Sequence, residues 1–84
     1  METVSVDVLL FARAAEVVGA KSICLSLSRG SNIQQLRDTL IDQFPHLASL
    51  AQISRWALDS EFVSEDHEIR ESVEIAMIPP VSGG

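Results

Sequence analysis

Apolar residues take every second position in three segments of the chain, and this period of two constrains the fold more than any other feature. The segments are residues 4–10, 23–27 and 73–77. Successive side chains of a strand point to opposite faces of its sheet, so each segment is predicted to be a half-buried strand. The short connection Gly19-Ala20-Lys21 predicts that the first two strands form an antiparallel hairpin or a wide turn.

One helical pattern lies between these strands. Its apolar residues recur at spacings of three and four and so share one stripe: Ile33, Leu36, Leu40 and Phe44. Ser31 followed by Gln34 has the form of a capping box at the start of this helix, and Pro45 ends it. A shorter helical turn is predicted over residues 12–18, closed by Gly19.

The rest of the chain predicts further strands. Residues 46–53 are less regular and fit either a second short helix or a packed loop. Trp56, Leu58 and Phe62-Val63 predict short strands around a turn at Asp59-Ser60, with Trp56 in or near the core. The order strand, strand, helix, strands predicts an α+β domain in which the helix packs on one face of a mixed sheet.

Size and charge narrow the functional class. A chain of 84 residues has room for one domain with a single modest core. It has one cysteine and no apolar run suited to a signal peptide or membrane span, so we expect a soluble cytoplasmic protein. The formal net charge of -6 argues against nucleic acid as a partner. Seven of the 12 acidic residues lie within residues 59–74, forming a solvated face, a steering surface for a basic partner, or both.

The last six residues differ in kind from the rest: Pro79-Pro80-Val81-Ser82-Gly83-Gly84. Neither proline has an N–H to continue a strand, and six extended residues reach roughly 20 Å. Without a Cβ at the last two positions, nothing obstructs the terminal carboxyl group, and such a tail could be threaded into a narrow channel of a partner. The alternative is an idle, frayed terminus. We expect a domain at residues 1–78, a threading tail at 79–84, and chemistry at the carboxyl group of Gly84.

Two stretches carry a family resemblance. Phe11-Ala12, Glu16 and Gly19 form a Phe-Ala-x-x-x-Glu-x-x-Gly pattern, and residues 74–84 read Glu-Ile-Ala-Met-Ile-Pro-Pro-Val-Ser-Gly-Gly. Both resemble the small, sulfur-carrying subunit of molybdopterin synthase, a ubiquitin-like family. The resemblance covers the whole chain and is most specific at the Pro-Pro-Val-Ser-Gly-Gly end, because the thiamin-pathway carrier generally lacks the two prolines. It implies a β-grasp fold with one main helix and a flexible Gly-Gly tail.

The resemblance also implies a mechanism. A ubiquitin-activating-like adenylyltransferase would use ATP to adenylate Gly84, and a sulfur donor would convert the adenylate into a thiocarboxylate. The large catalytic subunit of the synthase, in a heterotetramer of two small and two large subunits, would receive the tail. Sulfur would pass to cyclic pyranopterin monophosphate, which becomes molybdopterin. The carrier would hold no permanent cofactor and would not be catalytic alone.

Other uses of the same tail remain open at this point. The chain could carry sulfur for thiamin synthesis or tRNA thiolation, or be a ubiquitin-like modifier joined through Gly84 to lysines. It could also be a pure interaction domain whose tail has no chemistry.

Other reactive side chains are predicted to be ordinary. Cys24 lies within a predicted strand, without a second cysteine or a nearby histidine in sequence, which is typical of a structural residue. His46 and His67 are isolated in sequence, so we expect no dedicated metal site.

An apolar docking patch is predicted at the root of the tail. If Ile75 and Met77 face the helix, then Ala76 and Ile78 face the other way, where Ile78 could join Phe62 on the surface. The alternative is that Ile78 and Phe62 complete the core.

Overall fold

Residues 2–80 are those that this computed structural model describes, and they form seven strands, three α-helices and one 3₁₀ turn. In chain order these are β1 (Thr3–Leu10), α1 (Ala12–Val18), β2 (Ser22–Ser28), β3 (Ser31–Asn32), α2 (Ile33–Gln43), the 3₁₀ turn (Pro45–Leu47), α3 (Ala48–Ile53), β4 (Arg55–Leu58), β5 (Glu61–Val63), β6 (Glu68–Ile69) and β7 (Val73–Ile78). None of these helices has the length and apolar character needed to cross a lipid bilayer.

The main sheet has five strands in the order β2-β1-β7-β4-β5. The central pair, β1 and β7, runs parallel, whereas β2 and β4 flank it in antiparallel pairing and β5 forms a hairpin with β4. The first and last strands of the chain therefore lie side by side at the centre. The predicted mixed sheet with one main helix is confirmed, and this is the topology of a β-grasp fold.

The core lies between this sheet and the helices. The alternation in β1 and β7 buries Val6, Val8, Ile75 and Met77 completely, as the period of two predicted. The stripe of α2 meets them with three side chains that have no exposed surface: Ile33, Leu36 and Leu40. Trp56 is buried, also as predicted. Each apolar side chain buried in this way contributes roughly 1.5–3 kcal/mol, so this layer supplies most of the driving force for folding.

The start of α2 differs from the prediction by one residue. Asn32, not Ser31, caps the helix: its Oδ1 accepts from the N–H of Gln35 at 2.9 Å, and Gln35 Oε1 accepts from the N–H of Asn32 at 2.9 Å. The predicted box of Ser31 and Gln34 is wrong because Ser31 is still extended, paired with Ile69 in the small sheet of β3 and β6. That sheet, two residues per strand, has no apolar alternation by which the sequence could reveal it.

The helical turn predicted before β2 is confirmed as α1. It ends at Gly19, whose φ of 79° is left-handed and whose N–H donates to the carbonyl of Ala15 at 2.8 Å. Only glycine takes this conformation without a steric cost, which explains the glycine of the sequence pattern. The first residue of this helix, Ala12, also has a positive φ, 50°, which is sterically unfavourable for a residue with a Cβ.

The turn predicted at Asp59-Ser60 is confirmed as a two-residue hairpin loop between β4 and β5. Both residues have positive φ, 51° and 67°, as a type I′ turn requires. The loop matches the right-handed twist of the two strands and places β5 at one edge of the sheet.

Replacing Asn32 by Ala should cost about 1 kcal/mol in the free energy of unfolding, because the first turn of α2 loses its side-chain acceptor. Ser31→Ala, one residue away, is the matched control and should cost much less. Urea denaturation of both variants would measure the difference. Equal destabilisation by the two substitutions would contradict the observed cap.

Candidate functional site

The root of the tail lies at the centre of the main sheet. β7 ends at Ile78, and Pro79 and Pro80 leave the sheet from there, the first half-buried and the second exposed. Because β7 is paired on both sides, with β1 and β4, the chain leaves from a rigid base. Val81, Ser82, Gly83 and Gly84 lie outside the described residues, so the predicted tail at 79–84 and its chemistry at Gly84 stay predictions.

A row of apolar side chains crosses the sheet beside this root, on the face opposite the core. Strand register joins Leu9 of β1 to Ala76 of β7, Ala76 to Ala57 of β4, and Ala57 to Phe62 of β5. Ile78 lies one step further along β7 on the same face, opposite Arg55. Together with Phe11, just beyond the end of β1, these apolar side chains line one shallow depression, here called the sheet patch: Leu9, Phe11, Ala57, Phe62, Ala76 and Ile78.

Phe62 is the most exposed member of the sheet patch. Its side chain is 52% exposed, and the guanidinium of Arg55 lies 3.8 Å from the centroid of its ring. Such a cation–π contact holds the ring in place and contributes about 0.5–1 kcal/mol at an exposed site. A ring fixed in this way can contact another protein with little loss of side-chain freedom.

The structure thus brings Phe62 and Ile78 to one face at the root of the tail. Phe62 does not complete the core, and Ile78 is half-buried on the side away from it. Their role in docking a partner stays a prediction. Ala76 lies on the same face as Ile78, as the alternation along β7 predicted. Leu9 and Ala57 were not predicted there; the phase of Leu9 in β1 was an available signal, whereas Ala57 is buried next to the buried Trp56 and alternation along β4 does not mark it.

Cys24 lies on the same sheet face, near its other edge. It is opposite Asp7 of β1, which is itself opposite Glu74 of β7. Neighbouring protein atoms desolvate the thiol, and the Asp7 carboxylate accepts its hydrogen bond and repels the thiolate, so the pKa of Cys24 is raised. A raised pKa leaves less of the nucleophilic thiolate at neutral pH, which weakens Cys24 as a rival site for sulfur.

Part of the acidic segment has a structural role. The carbonyls of Glu65 and His67 accept from the N–H groups of Gln34 and Ile33, in the first turn of α2. Glu65 also forms an ion pair with Arg37 on the next turn of the same helix. The loop is therefore fastened to α2, and its remaining carboxylates face solvent.

Neither histidine takes part in a cluster of ligands. His46 is exposed in the 3₁₀ turn, and His67 is half-buried with its backbone committed to α2. Among residues 2–80, no three side chains of the types that bind metal ions are grouped closely enough to hold one. The described residues therefore offer an apolar surface beside the point at which the chain leaves the sheet.

Known sequences match this chain up to its last residue. The profile of the ThiS family matches residues 8–84. The molybdopterin synthase sulfur carrier subunit of Arabidopsis thaliana is 37% identical over 98% of this chain and 85% of its own length. The proteins of the same name from Dictyostelium discoideum and Homo sapiens are 38% and 33% identical, covering 92% and 94% of this chain and 93% of each relative.

Comparison with solved structures supports the fold. SAMP1 from Haloferax volcanii superposes with a TM-score of 0.81 at 23% identity, over 95% of this chain and 99% of that one. A Caldiarchaeum subterraneum ubiquitin superposes with a TM-score of 0.68 at 9% identity, over 99% of this chain and 100% of its own. Sequence identities this low do not support an inference about function, but the superpositions establish the ubiquitin-like fold.

Asp7→Asn should speed the alkylation of Cys24 by iodoacetamide at pH 8. The substitution removes the carboxylate that disfavours the thiolate, so the pKa of Cys24 falls and more of the thiol is reactive at that pH. Asp59→Asn, in the hairpin loop at the other end of the sheet order, is the matched control. Equal alkylation rates in the parent and Asp7→Asn proteins would contradict the influence of Asp7.

Proposed function

Because this chain belongs to the ThiS family, we propose that it is the sulfur-carrying subunit of a molybdopterin synthase, acting through the carboxyl group of Gly84. One observation carries the proposal. The family match runs through the terminal Gly-Gly at residue 84, and relatives bearing that subunit's name align with more than nine-tenths of the chain. The resemblance stated from the sequence is confirmed by these matches.

The chemistry requires activation of the terminal carboxylate, which is a poor electrophile. A ubiquitin-activating-like adenylyltransferase would join it to AMP from ATP and release pyrophosphate. A sulfur donor at the oxidation level of sulfide would then attack the acyl carbon and displace AMP, leaving a thiocarboxylate in which sulfur has replaced one oxygen. The ATP belongs to the activating enzyme, and this chain supplies only the acyl group.

The large catalytic subunit would then receive the tail, in a heterotetramer of two small and two large subunits. Its active site would hold the thiocarboxylate next to cyclic pyranopterin monophosphate and transfer the sulfur. Holding the two reactants together replaces a bimolecular encounter with a positioned one, which can supply several kcal/mol of the barrier. The part of this chain is to deliver the tail, Pro79 to Gly84, from a fixed base.

The sheet patch suits the docking that such delivery requires. It lies at the root of the tail, combines apolar side chains with one ring held by Arg55, and is rimmed by Asp59 and Glu74. Apolar anchors surrounded by polar residues are typical of protein interfaces. We propose that Phe62 and Ile78 anchor the large subunit while the tail enters its active site.

Two other uses of the tail compete with this one. Delivery of sulfur for thiamin or tRNA thiolation would use the same thiocarboxylate with another acceptor. A protein modifier would form an isopeptide bond with lysine, visible as a ladder of adducts on a denaturing gel. Relatives that share one name over nearly the full chain favour the molybdopterin role over both.

Incubation with the activating enzyme, ATP and a sulfur donor should raise the intact mass by the difference between sulfur and oxygen. Deleting Gly84 should abolish sulfur transfer and leave the thermal melt nearly unchanged, since Met77 is the last buried core residue among residues 2–80. Mass spectrometry and a melting curve check both expectations. An unchanged mass with a competent activating enzyme would count against the sulfur chemistry, and a large loss of stability would mean that the tail is structural.

Phe62→Asp should weaken binding of the large subunit by about 2 kcal/mol or more, because a charge replaces a proposed apolar anchor. The half-exposed position should tolerate the change without unfolding. Ser26→Asp, an exposed position on β2, introduces the same charge far from the tail and is the control. Calorimetric titration would measure both, and equal affinities would exclude the sheet patch from the interface.

A further inference from the structure

A second apolar surface flanks the tail root, on the side of the helices. It is a cleft of about 820 Å³ between α1 and α3, closed at one end by Ile78, Pro79 and Pro80. Phe11 and Ile78 line both this α1–α3 cleft and the sheet patch, so the chain leaves the domain between two adjoining surfaces. The sheet patch accounts for only one of them.

Exposed apolar side chains are concentrated in the α1–α3 cleft. Residues 2–80 expose four large hydrophobic side chains, and three of them line it: Phe11 at 48%, which it shares with the sheet patch, and Val17 at 41% and Ile53 at 59%, which line the cleft and not the sheet patch. Single exposed apolar residues are common on any surface, whereas a cluster rimmed by polar groups marks an interaction site. The clustering indicates that this wall is covered when the protein acts.

The charge of the cleft is opposite in sign to that of the protein. Arg13 lines it together with His46 and Ser49, and no carboxylate side chain of residues 2–80 does, although the chain carries a net charge of -6. The ion pairs among the described residues involve Arg29, Arg37 and Arg70, so Arg13 is left available. An acidic group on a partner would complement this rim.

The backbone at the cleft is held in a costly conformation. Ala12 joins Phe11 to Arg13 with a φ of 50°, a left-handed value that a residue with a Cβ rarely adopts. Such strain persists only where the surroundings enforce it, and it is concentrated at binding sites. Here it accompanies an exposed ring, Phe11, and an exposed cation, Arg13, both of which line the cleft.

We propose that the α1–α3 cleft is a second docking site for the large synthase subunit, filled by an acidic, apolar segment of it. An apolar side chain of that segment packs between Val17 and Ile53, and a carboxylate beside it pairs with Arg13. The proposal rests on the proposed function, because it takes the protein that receives the tail as the occupant. Pro79 and Pro80 line the cleft, so a protein that holds the tail already has its surface next to the cleft.

The test measures the affinity of the large subunit for two variants of the cleft and two matched controls. Val17→Asp puts a carboxylate in the apolar wall, and Ala20→Asp puts the same group at an exposed position just after α1. Arg13→Glu reverses the available cation, and Arg70→Glu makes the same change of charge away from the cleft. Both cleft variants should bind about fivefold more weakly or worse, while both controls stay near the parent affinity.

Salt dependence tests the carboxylate directly. Arg13→Gln should flatten the loss of affinity between 0.05 and 0.5 M salt, about the range over which exposed charge pairs are screened, and Arg70→Gln should not. Parent-like affinity of Val17→Asp and Arg13→Glu, with tight binding of the parent, would overturn the cleft proposal alone. Failure of the parent to bind the large subunit would overturn the proposed function with it. Dimerisation of the carrier that Val17→Asp abolishes would identify a second copy as the occupant and also overturn it.

Discussion

Parallel pairing of β1 with β7 is the interaction on which the rest of the structure depends. It joins the two ends of the described chain at the centre of the sheet, where Val6, Val8, Ile75 and Met77 are all fully buried. Parallel strands need a long connection, and here the connection contains every other element. The domain therefore closes as one unit, and the segment that follows β7 leaves from its most tightly held strand.

The same pairing gives the two faces of the sheet different roles. Because side chains alternate along each strand, the phase that buries Ile75 and Met77 under α2 presents Ala76 and Ile78 on the other face. Register across β1, β7, β4 and β5 then aligns small and large apolar side chains into the sheet patch. Packing of the core on one face therefore also fixes the positions of the side chains on the opposite face of the sheet.

The sequence-based prediction that was wrong concerns a short strand pairing. The capping box was placed at Ser31 because a serine with an amide three residues later is the usual pattern. Ser31 is extended instead, since it pairs with Ile69, and Asn32 takes the cap. A strand of two residues is too short to show an alternation of apolar residues. The strand that pairs with it, β6, lies in an acidic segment whose composition is typical of a solvated loop. The helix α2 and the hairpin turn at Asp59-Ser60 were predictable because their conformations depend on local residue types.

The sequence by itself determined the strands, the main helix and the end of the sheet at Pro79, because periods of two and of three to four reflect which faces are buried. It also determined the family, through Phe11, Gly19 and the terminal glycines. Only the tertiary structure decided which exposed residues come together. Phe62 and Ile78 come to one face through pairing with β4, and Phe11, Val17 and Ile53 line one cleft although their segments are distant in sequence. Such contacts depend on register and packing, which no local pattern encodes.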